Sequence, residues 1–145
     1  MTPGGGRHHR GVLDTNTVIL LPRIEDPELL PREPVITTVT LSELSVGPLV
    51  AATDEERIAR QAHLQRAEAD FHPLPFDARA ARSFGAVAAS LRGSGRKTRA
   101  RAYDAMIAAT ALANELPVYT CDPDDFAGIA GLEVVPVPIP DDPAR

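Results

Sequence analysis

The sequence predicts an α/β protein, specifically a three-layer α/β/α sandwich around a central, mainly parallel sheet of four to five strands. Short apolar strand patterns alternate with longer helical patterns along the chain, as in βαβ units. One predicted strand, residues 35–39, is β-branched and apolar on both faces, as buried parallel strands are. The 145 residues contain no repeat or linker and suffice for one core. We therefore expect one domain over residues 12–137.

The two ends of the chain lie outside this predicted domain. Residues 1–11 are rich in Gly, Arg and His without apolar periodicity, so we expect a flexible leader. The Pro-rich residues 138–145 are expected to form a tail. Cys121, the single cysteine, excludes an internal disulfide or a cysteine-based zinc site and favours a reducing compartment. No apolar run is long enough for a membrane span or signal peptide, so a cytoplasmic protein without membrane contact is expected.

Predicted elements follow in order along the chain. The first strand, at Val12 and Leu13, leads into a turn and a helix that fades before Pro22. After the strand at residues 35–39, Thr40 is expected to open a helix that Gly47 and Pro48 end. The remaining predicted elements are helices capped by Thr53 and by Asp77, an Ala-rich helix at about 98–116, and strands at 118–121 and 133–135.

Acidic residues follow the predicted strands. Asp14 comes after the first strand, Glu43 four residues beyond the second, and Asp122 directly after the third, while Asp104 lies early in the Ala-rich helix. The carboxyl ends of parallel strands share one edge of the sheet, so these side chains are expected to converge. Crowded carboxylates repel one another unless a cation neutralises them, and oxygen ligands suit Mg²⁺, or Mn²⁺ in its place, rather than Zn²⁺. Such a cation can generate hydroxide and bind a phosphodiester.

Each acid also has a structural alternative. Thr40 and Glu43 match a capping box, and Asp14 could cap the first helix. Asp104 could be a surface acid favoured by the helix dipole, and Asp122 could start an Asx-turn. The joint placement of the four acids favours a shared site over these separate explanations.

The formal net charge of −5 weighs against a nucleic-acid partner, and an aromatic content of 4% without Trp weighs against a base-stacking surface. The distribution of charge is more informative, because basic residues cluster in the predicted Gly-containing loop before the Ala-rich helix. This basic run could bind a phosphate backbone or could be a solvated loop. Its principal candidates are Arg96, Lys97 and Arg99.

Four segments, in order, resemble the acidic motifs of the PIN domain. They are residues 11–16, 38–44, 103–111 and 120–126. The third, Tyr-Asp-Ala-Met-Ile-Ala-Ala-Thr-Ala, is close to the Asp-x-x-Ile-Ala-Ala-x-Ala pattern of VapC-type toxins and is the most specific match. The resemblance spans roughly residues 11–137 and implies a PIN-like α/β/α fold. Family members often begin near the first strand, so the leader is a departure from the pattern.

The resemblance implies a metal-dependent endoribonuclease, the toxin of a type II toxin–antitoxin pair. It implies cleavage of single-stranded or looped RNA, often tRNA or rRNA, a homodimeric state, and inhibition by a VapB-like antitoxin. Carried over by position, the principal metal ligands would be Asp14 and Asp104, with Glu43 and Asp122 completing the acidic pocket directly or through water. Carboxylates would be oriented by hydrogen bonds from Asn16 and Thr120, and Asp125 would either reach the site or cap its turn.

Two other classes and an inactive version of the fold are alternatives. A haloacid-dehalogenase-like phosphatase would need a second aspartate where Asn16 stands, and a suitable lysine. A receiver-like signalling module would need an acid pair after the first strand and a lysine after the last. A PIN fold kept only for binding is disfavoured by the complete set of acids.

Overall fold

In the computed structural model, which describes residues 7–95 and 101–141, four short parallel strands form one sheet. The strand order is β2-β1-β3-β4. The register places Val12 of β1 beside Val35 of β2 and Val118 of β3, and Val118 beside Val134 of β4. The strand bounds are β1 Arg10–Leu13, β2 Glu33–Val35, β3 Val118–Thr120 and β4 Val134–Pro136. The predicted α/β class with a parallel sheet is confirmed.

Five α-helices surround this sheet within the described residues. Those that begin where predicted are capped as expected: the Thr53 hydroxyl accepts from the Glu56 amide at 3.1 Å, and the Asp77 carboxylate accepts from the Ala80 amide at 3.0 Å. No helix in the described part of the chain is both long and apolar enough to cross a bilayer. The bounds are α1 Thr15–Leu20, α2 Thr38–Val46, α3 Asp54–Asp70, α4 Ala78–Gly93 and α5 Ala102–Ala113.

Apolar residues on both faces of the sheet form two separate cores. Val12 and Val118 belong to one core, against α4 and α5, while the adjacent Leu13 and Tyr119 belong to the other, against α1 and α3. This alternation follows from the strand geometry, in which successive side chains point to opposite faces. Because helices cover both faces, the two edges at which the strands begin and end are the parts of the sheet open to ligands, and in parallel sheets ligands bind where the strands end.

The second strand and its helix differ from the sequence prediction. The sequence predicts the strand at residues 35–39, but the observed β2 covers Glu33–Val35. The Thr37 hydroxyl already caps α2 by accepting from the Thr40 amide at 3.2 Å. Val39 is therefore a buried helical residue, because tertiary burial outweighs the β preference of a branched side chain. The capping box predicted at Thr40 is wrong, and Glu43 lies in the second turn of α2.

The chain enters the fold earlier than the expected leader boundary at Gly11. β1 begins at Arg10, and the carbonyls of His8 and His9 accept from the amides of Arg32 and Glu33 at 3.0 and 2.7 Å. A Cβ atom at Gly11 would lie 2.7 Å from the Tyr119 ring, so only glycine fits there without displacing the ring. Residues 1–6 of the expected leader lie outside the described residues.

The expected tail begins just beyond β4. The Val137 amide donates to the Thr120 carbonyl at 2.8 Å, and Val137 is buried. Further along, the Asp141 carbonyl accepts from Arg23 at 3.2 Å. Residues 138–141 of the expected tail thus lie beside the segment that follows α1. Residues 142–145 lie outside the described part of the chain.

Candidate active site

Asp14 is the most buried acid of the site, with 3% of its surface exposed. It lies between β1 and α1, so its side chain stands at the carboxyl edge of the sheet. One carboxylate oxygen accepts from the Thr120 hydroxyl of β3 at 3.0 Å, and the other accepts a short hydrogen bond from Thr17. The Thr17 hydroxyl in turn accepts from the Cys121 amide at 3.0 Å. Both oxygens of Asp14 are therefore held in fixed directions.

Glu43 reaches the same edge from α2. The Thr15 hydroxyl, at the start of α1, donates to its carboxylate at 2.6 Å. The same hydroxyl lies 3.0 Å from the hydroxyl of Thr40, one turn before Glu43 on α2. This chain of hydroxyls ties α1 to α2 and fixes the glutamate, which replaces the helix-cap role considered for it.

Asp122 directly follows β3, as expected. Its carboxylate accepts from the Asn16 side-chain amide at 2.8 Å, and its backbone amide donates to the Thr120 hydroxyl at 2.9 Å. Asn16 and Thr120, the two residues expected to orient carboxylates, thus each contact an acid of the predicted set. Thr120 contacts both Asp14 and Asp122, so it couples their positions.

Asp104 lies in the first turn of α5, with 27% of its side chain exposed. Arg101, immediately before that helix, places a guanidinium nitrogen 3.9 Å from the Asp104 carboxylate. The same nitrogen makes a short ion pair with Asp125. Asp125, whose position the sequence left open, therefore lies beside Asp104 and shares its counter-ion.

The electrostatics of the site are those of a crowded anionic cluster. Burial raises the pKa of Asp104 to about 7, with further contributions from the charges of Asp125, Asp14 and Glu43 and an opposing one from Arg101. Burial also raises the pKa of Asp14 to about 6, although its hydrogen bonds from Thr17 and Thr120 act in the opposite direction. The pKa of Glu43 is raised by burial as well. These mutual effects show that acids from separate segments lie near one another.

The donors of this edge are the hard oxygen ligands that Mg²⁺ and Mn²⁺ prefer. Within residues 7–95 and 101–141, no three His, Cys, Asp or Glu side chains are grouped tightly enough to be a preformed metal cage. Mg²⁺ does not need one, because it commonly uses one or two carboxylates together with water and phosphate oxygens. A pair of carboxylates with raised pKa values, one of them rigidly oriented, fits that requirement.

Sequence reasoning named the acids but missed three residues that contact them. Thr15, Thr17 and Arg101 bind Glu43, Asp14 and the Asp104–Asp125 pair, respectively. The spacing Asp-x-x-Thr before a helix could have suggested Thr17, since residues three apart share a helix face. The basic run at Arg96, Lys97 and Arg99 lies outside the described residues.

Comparisons with known proteins identify the family of this chain. The PIN domain family matches residues 12–132. Ribonuclease VapC5 from Mycobacterium tuberculosis (strain ATCC 25618 / H37Rv) is 44% identical over 132 residues, which cover 88% of this chain and 95% of the relative. Ribonuclease VapC4 of the same strain is 32% identical over 102 residues, covering 70% and 75% of the two chains.

Among solved structures, the crystal structure of VapBC-5, a member of the VapBC family of toxin–antitoxin systems from Mycobacterium tuberculosis, matches with a TM-score of 0.77. The sequence identity is 42%, and the match covers 89% of this chain and 99% of that chain. Sequence and fold therefore agree over nearly the whole length of the VapC5 and VapBC-5 chains, and this chain belongs to the PIN-domain family, within its VapC group.

Proposed function

We propose that this chain is a Mg²⁺-dependent endoribonuclease, with Mn²⁺ able to replace Mg²⁺, and the toxin of a type II toxin–antitoxin module. The observation that carries the proposal is the buried, doubly hydrogen-bonded Asp14 at the strand edge, beside Asp104 and Glu43, in a chain 44% identical to Ribonuclease VapC5. Hydrolysis of an RNA phosphodiester requires a nucleophile and compensation of the charge that develops on phosphate.

The residues divide these tasks by their positions. Asp14 and Asp104 would be the principal metal ligands, because burial and neighbouring carboxylates raise their pKa values and a bound cation would offset both effects. Glu43 and Asp122 would complete the acidic pocket, directly or through water. A Mg²⁺ ion held there would act as a Lewis acid toward the phosphodiester and an attacking water.

Neighbouring polar side chains would keep the acids in place. Thr120 would orient Asp14, and Asn16 would orient Asp122, through the hydrogen bonds described above. Asp125 would contribute negative charge beside Asp104. The Arg96, Lys97 and Arg99 run would bind RNA phosphates.

The phosphatase alternative is disfavoured by the contacts of Asn16. That position would have to hold a general acid, yet its side-chain amide donates to Asp122 and carries no acidic proton. The PIN family match also covers the segment in question.

The direct test is cleavage of a structured RNA, such as tRNA or rRNA, by purified protein. We expect cleavage with Mg²⁺ or Mn²⁺ and none in excess EDTA. Asp14→Asn, purified identically, should lose about two orders of magnitude or more in rate, since a ligand charge is removed and effects of 10–100-fold already follow from changes around ligands. This variant also controls for contaminating nuclease. Full activity of the wild type in excess EDTA refutes metal dependence.

The partners form a separate part of the proposal. The VapBC-5 structure belongs to a toxin–antitoxin family, which supports a VapB-like antitoxin for this chain as well. Its tail would occupy the acidic edge of the sheet. The protein is proposed to be a homodimer that acts in the cytoplasm. Co-expression with the product of the neighbouring reading frame should yield a stable complex with suppressed cleavage, and the mass of the free protein in solution tests the dimer.

A further inference from the structure

Arg101 occupies a position that helix electrostatics does not explain. It directly precedes α5, where the helix dipole is positive and a cation is unfavourable. Its side chain makes no cap for that helix. This unfavourable interaction is typically about 0.3–1 kcal/mol, and Asp104 and Asp125 offset it by pairing with the same guanidinium nitrogen.

The contact also changes the state of the proposed metal-binding acids. Asp104 experiences the negative charges of Asp125, Asp14 and Glu43, and among the described residues the charge of Arg101 opposes them. Arg101 thus partly neutralises the edge of the sheet from within the chain. A divalent cation that used the Asp104 carboxylate would meet this guanidinium, and two cations a few ångströms apart repel each other strongly in a half-buried site.

We propose that Arg101 is an internal counter-ion that stabilises the metal-free site and that a divalent metal must displace from Asp104 and Asp125. It is a positioning residue that lowers metal affinity and keeps the acids ordered when no metal is bound. This inference rests on the proposed function, in which Asp104 binds the metal.

The test compares three variants of the full chain with the wild type, using Mn²⁺ alone as the probe. Arg101→Gln removes the counter-ion, and Arg101→Lys keeps its charge. Arg57→Gln is the matched control, because Arg57 forms an exposed ion pair with Asp54 three residues away and its loss changes the net charge equally. Calorimetric titration near pH 8 gives Kd, and thermal unfolding with and without Mn²⁺ gives stability.

For Arg101→Gln we expect Mn²⁺ to bind about tenfold more tightly or better, since each tenfold corresponds to a modest change in electrostatic free energy. Its unfolding midpoint should fall without metal and recover with saturating Mn²⁺, because the metal replaces the lost counter-ion. Arg101→Lys should bind Mn²⁺ within about twofold of the wild type, because it keeps the positive charge. Arg57→Gln should do the same, because the charge it loses is exposed and is screened from the site by solvent and salt.

A purely structural brace between α5 and the Asp125 turn predicts a different pattern. Arg101→Gln would then lose the same stability with and without Mn²⁺, and its Mn²⁺ affinity would not change, which overturns the proposal. If the variant does not fold, an experiment on the wild type still tests the proposal. Metal-free protein is titrated with Mg²⁺, which is diamagnetic and therefore takes the place of Mn²⁺ as the probe in NMR. The signal of the Arg101 Nε–H should shift as Mg²⁺ binds, and an unmoved signal at saturation overturns the proposal.

These outcomes separate the inference from the proposed function. A wild type that binds no Mn²⁺ and cleaves no RNA refutes the proposed function. A wild type that does both, with Arg101→Gln unchanged in affinity, refutes only the counter-ion.

Discussion

Replacing Asp104 with asparagine removes one negative charge from the crowded edge of the sheet while keeping the size of the side chain. The folded-state pKa of about 7 lies above the ordinary value of 3.8. Each pKa unit corresponds to about 1.36 kcal/mol, so the ionised carboxylate destabilises the folded state by up to about 4 kcal/mol. The side chain is 27% exposed, so solvent screening reduces this figure to about 1–3 kcal/mol.

The net expectation for Asp104→Asn without metal is a gain of about 1–3 kcal/mol near pH 8. The sign depends on pH, because a raised carboxyl pKa means that the folded protein holds a proton the unfolded chain has released. The stability contributed by the protonated carboxyl is fully present below the unfolded value of 3.8 and is lost as pH rises to about 7. The gain of the variant should therefore vanish near pH 4.

The assay pairs thermal unfolding in EDTA with RNA cleavage in Mg²⁺ on the same preparations. The unfolding midpoint should rise by several degrees near pH 8, at about 3–4 °C per kcal/mol for this length, while cleavage falls by orders of magnitude. Asp54→Asn is the matched control, because Asp54 is also in the first turn of its helix and pairs with an arginine three residues away, but is exposed. It should lose stability slightly, by about 0.5 kcal/mol.

Two results would refute this reasoning. A midpoint that falls near pH 8, as Asp54→Asn predicts, would make Asp104 a helix-dipole acid. Normal cleavage by Asp104→Asn would remove the residue from the site, whatever its effect on stability.

Three further predictions concern the surroundings of the site. The Mn²⁺ affinity of the wild type should increase as pH rises from about 5 to 8, because Asp14 and Asp104, with pKa values of about 6 and 7, bind metal only when ionised; a flat titration profile contradicts this. Thr17→Val should cost about 1–3 kcal/mol in denaturant unfolding, because it removes the hydroxyl that donates to the buried Asp14 carboxylate and accepts from the Cys121 amide, and Thr17→Ser should restore most of the loss. Neutralising the basic run should flatten the salt dependence of RNA binding by roughly one unit of slope per lost contact, and an unchanged slope would make it a solvated surface; the residues to change are Arg96, Lys97 and Arg99.

The sequence was sufficient to place the acids because parallel topology leaves little freedom. Once β1 and β3 are parallel, residues that directly follow them must lie at the same edge, which brings Asp14 and Asp122 together across 108 positions of chain. Glu43 reached the edge despite the error in β2, because the helix that carries it begins at that edge. The convergence therefore depends on topology more than on exact element bounds.

The contacts that the sequence analysis missed depend on three-dimensional positions that no periodic sequence pattern reflects. Thr17 reaches Asp14 because α1 begins directly at Thr15, and the expected turn over residues 14–16 would have placed it elsewhere. Arg101 was one of several basic residues in sequence, and its contact with Asp125 depends on a turn that lies 24 residues further along the chain. A local sequence pattern cannot show such a contact.

The hydrogen bonds to Asp14 distinguish a site acid from a structural one. A buried aspartate that serves as a cap accepts enough hydrogen bonds to stabilise its charge, and its pKa falls. Asp14 accepts hydroxyls from Thr17 and Thr120 on its two oxygens, yet its pKa remains raised to about 6 because burial outweighs them. The threonines thus fix the direction of the carboxylate without compensating its charge. We therefore expect a cation to supply the remaining compensation, as the proposed function requires, and the uncompensated charge of Asp14 favours a metal ligand over a helix cap.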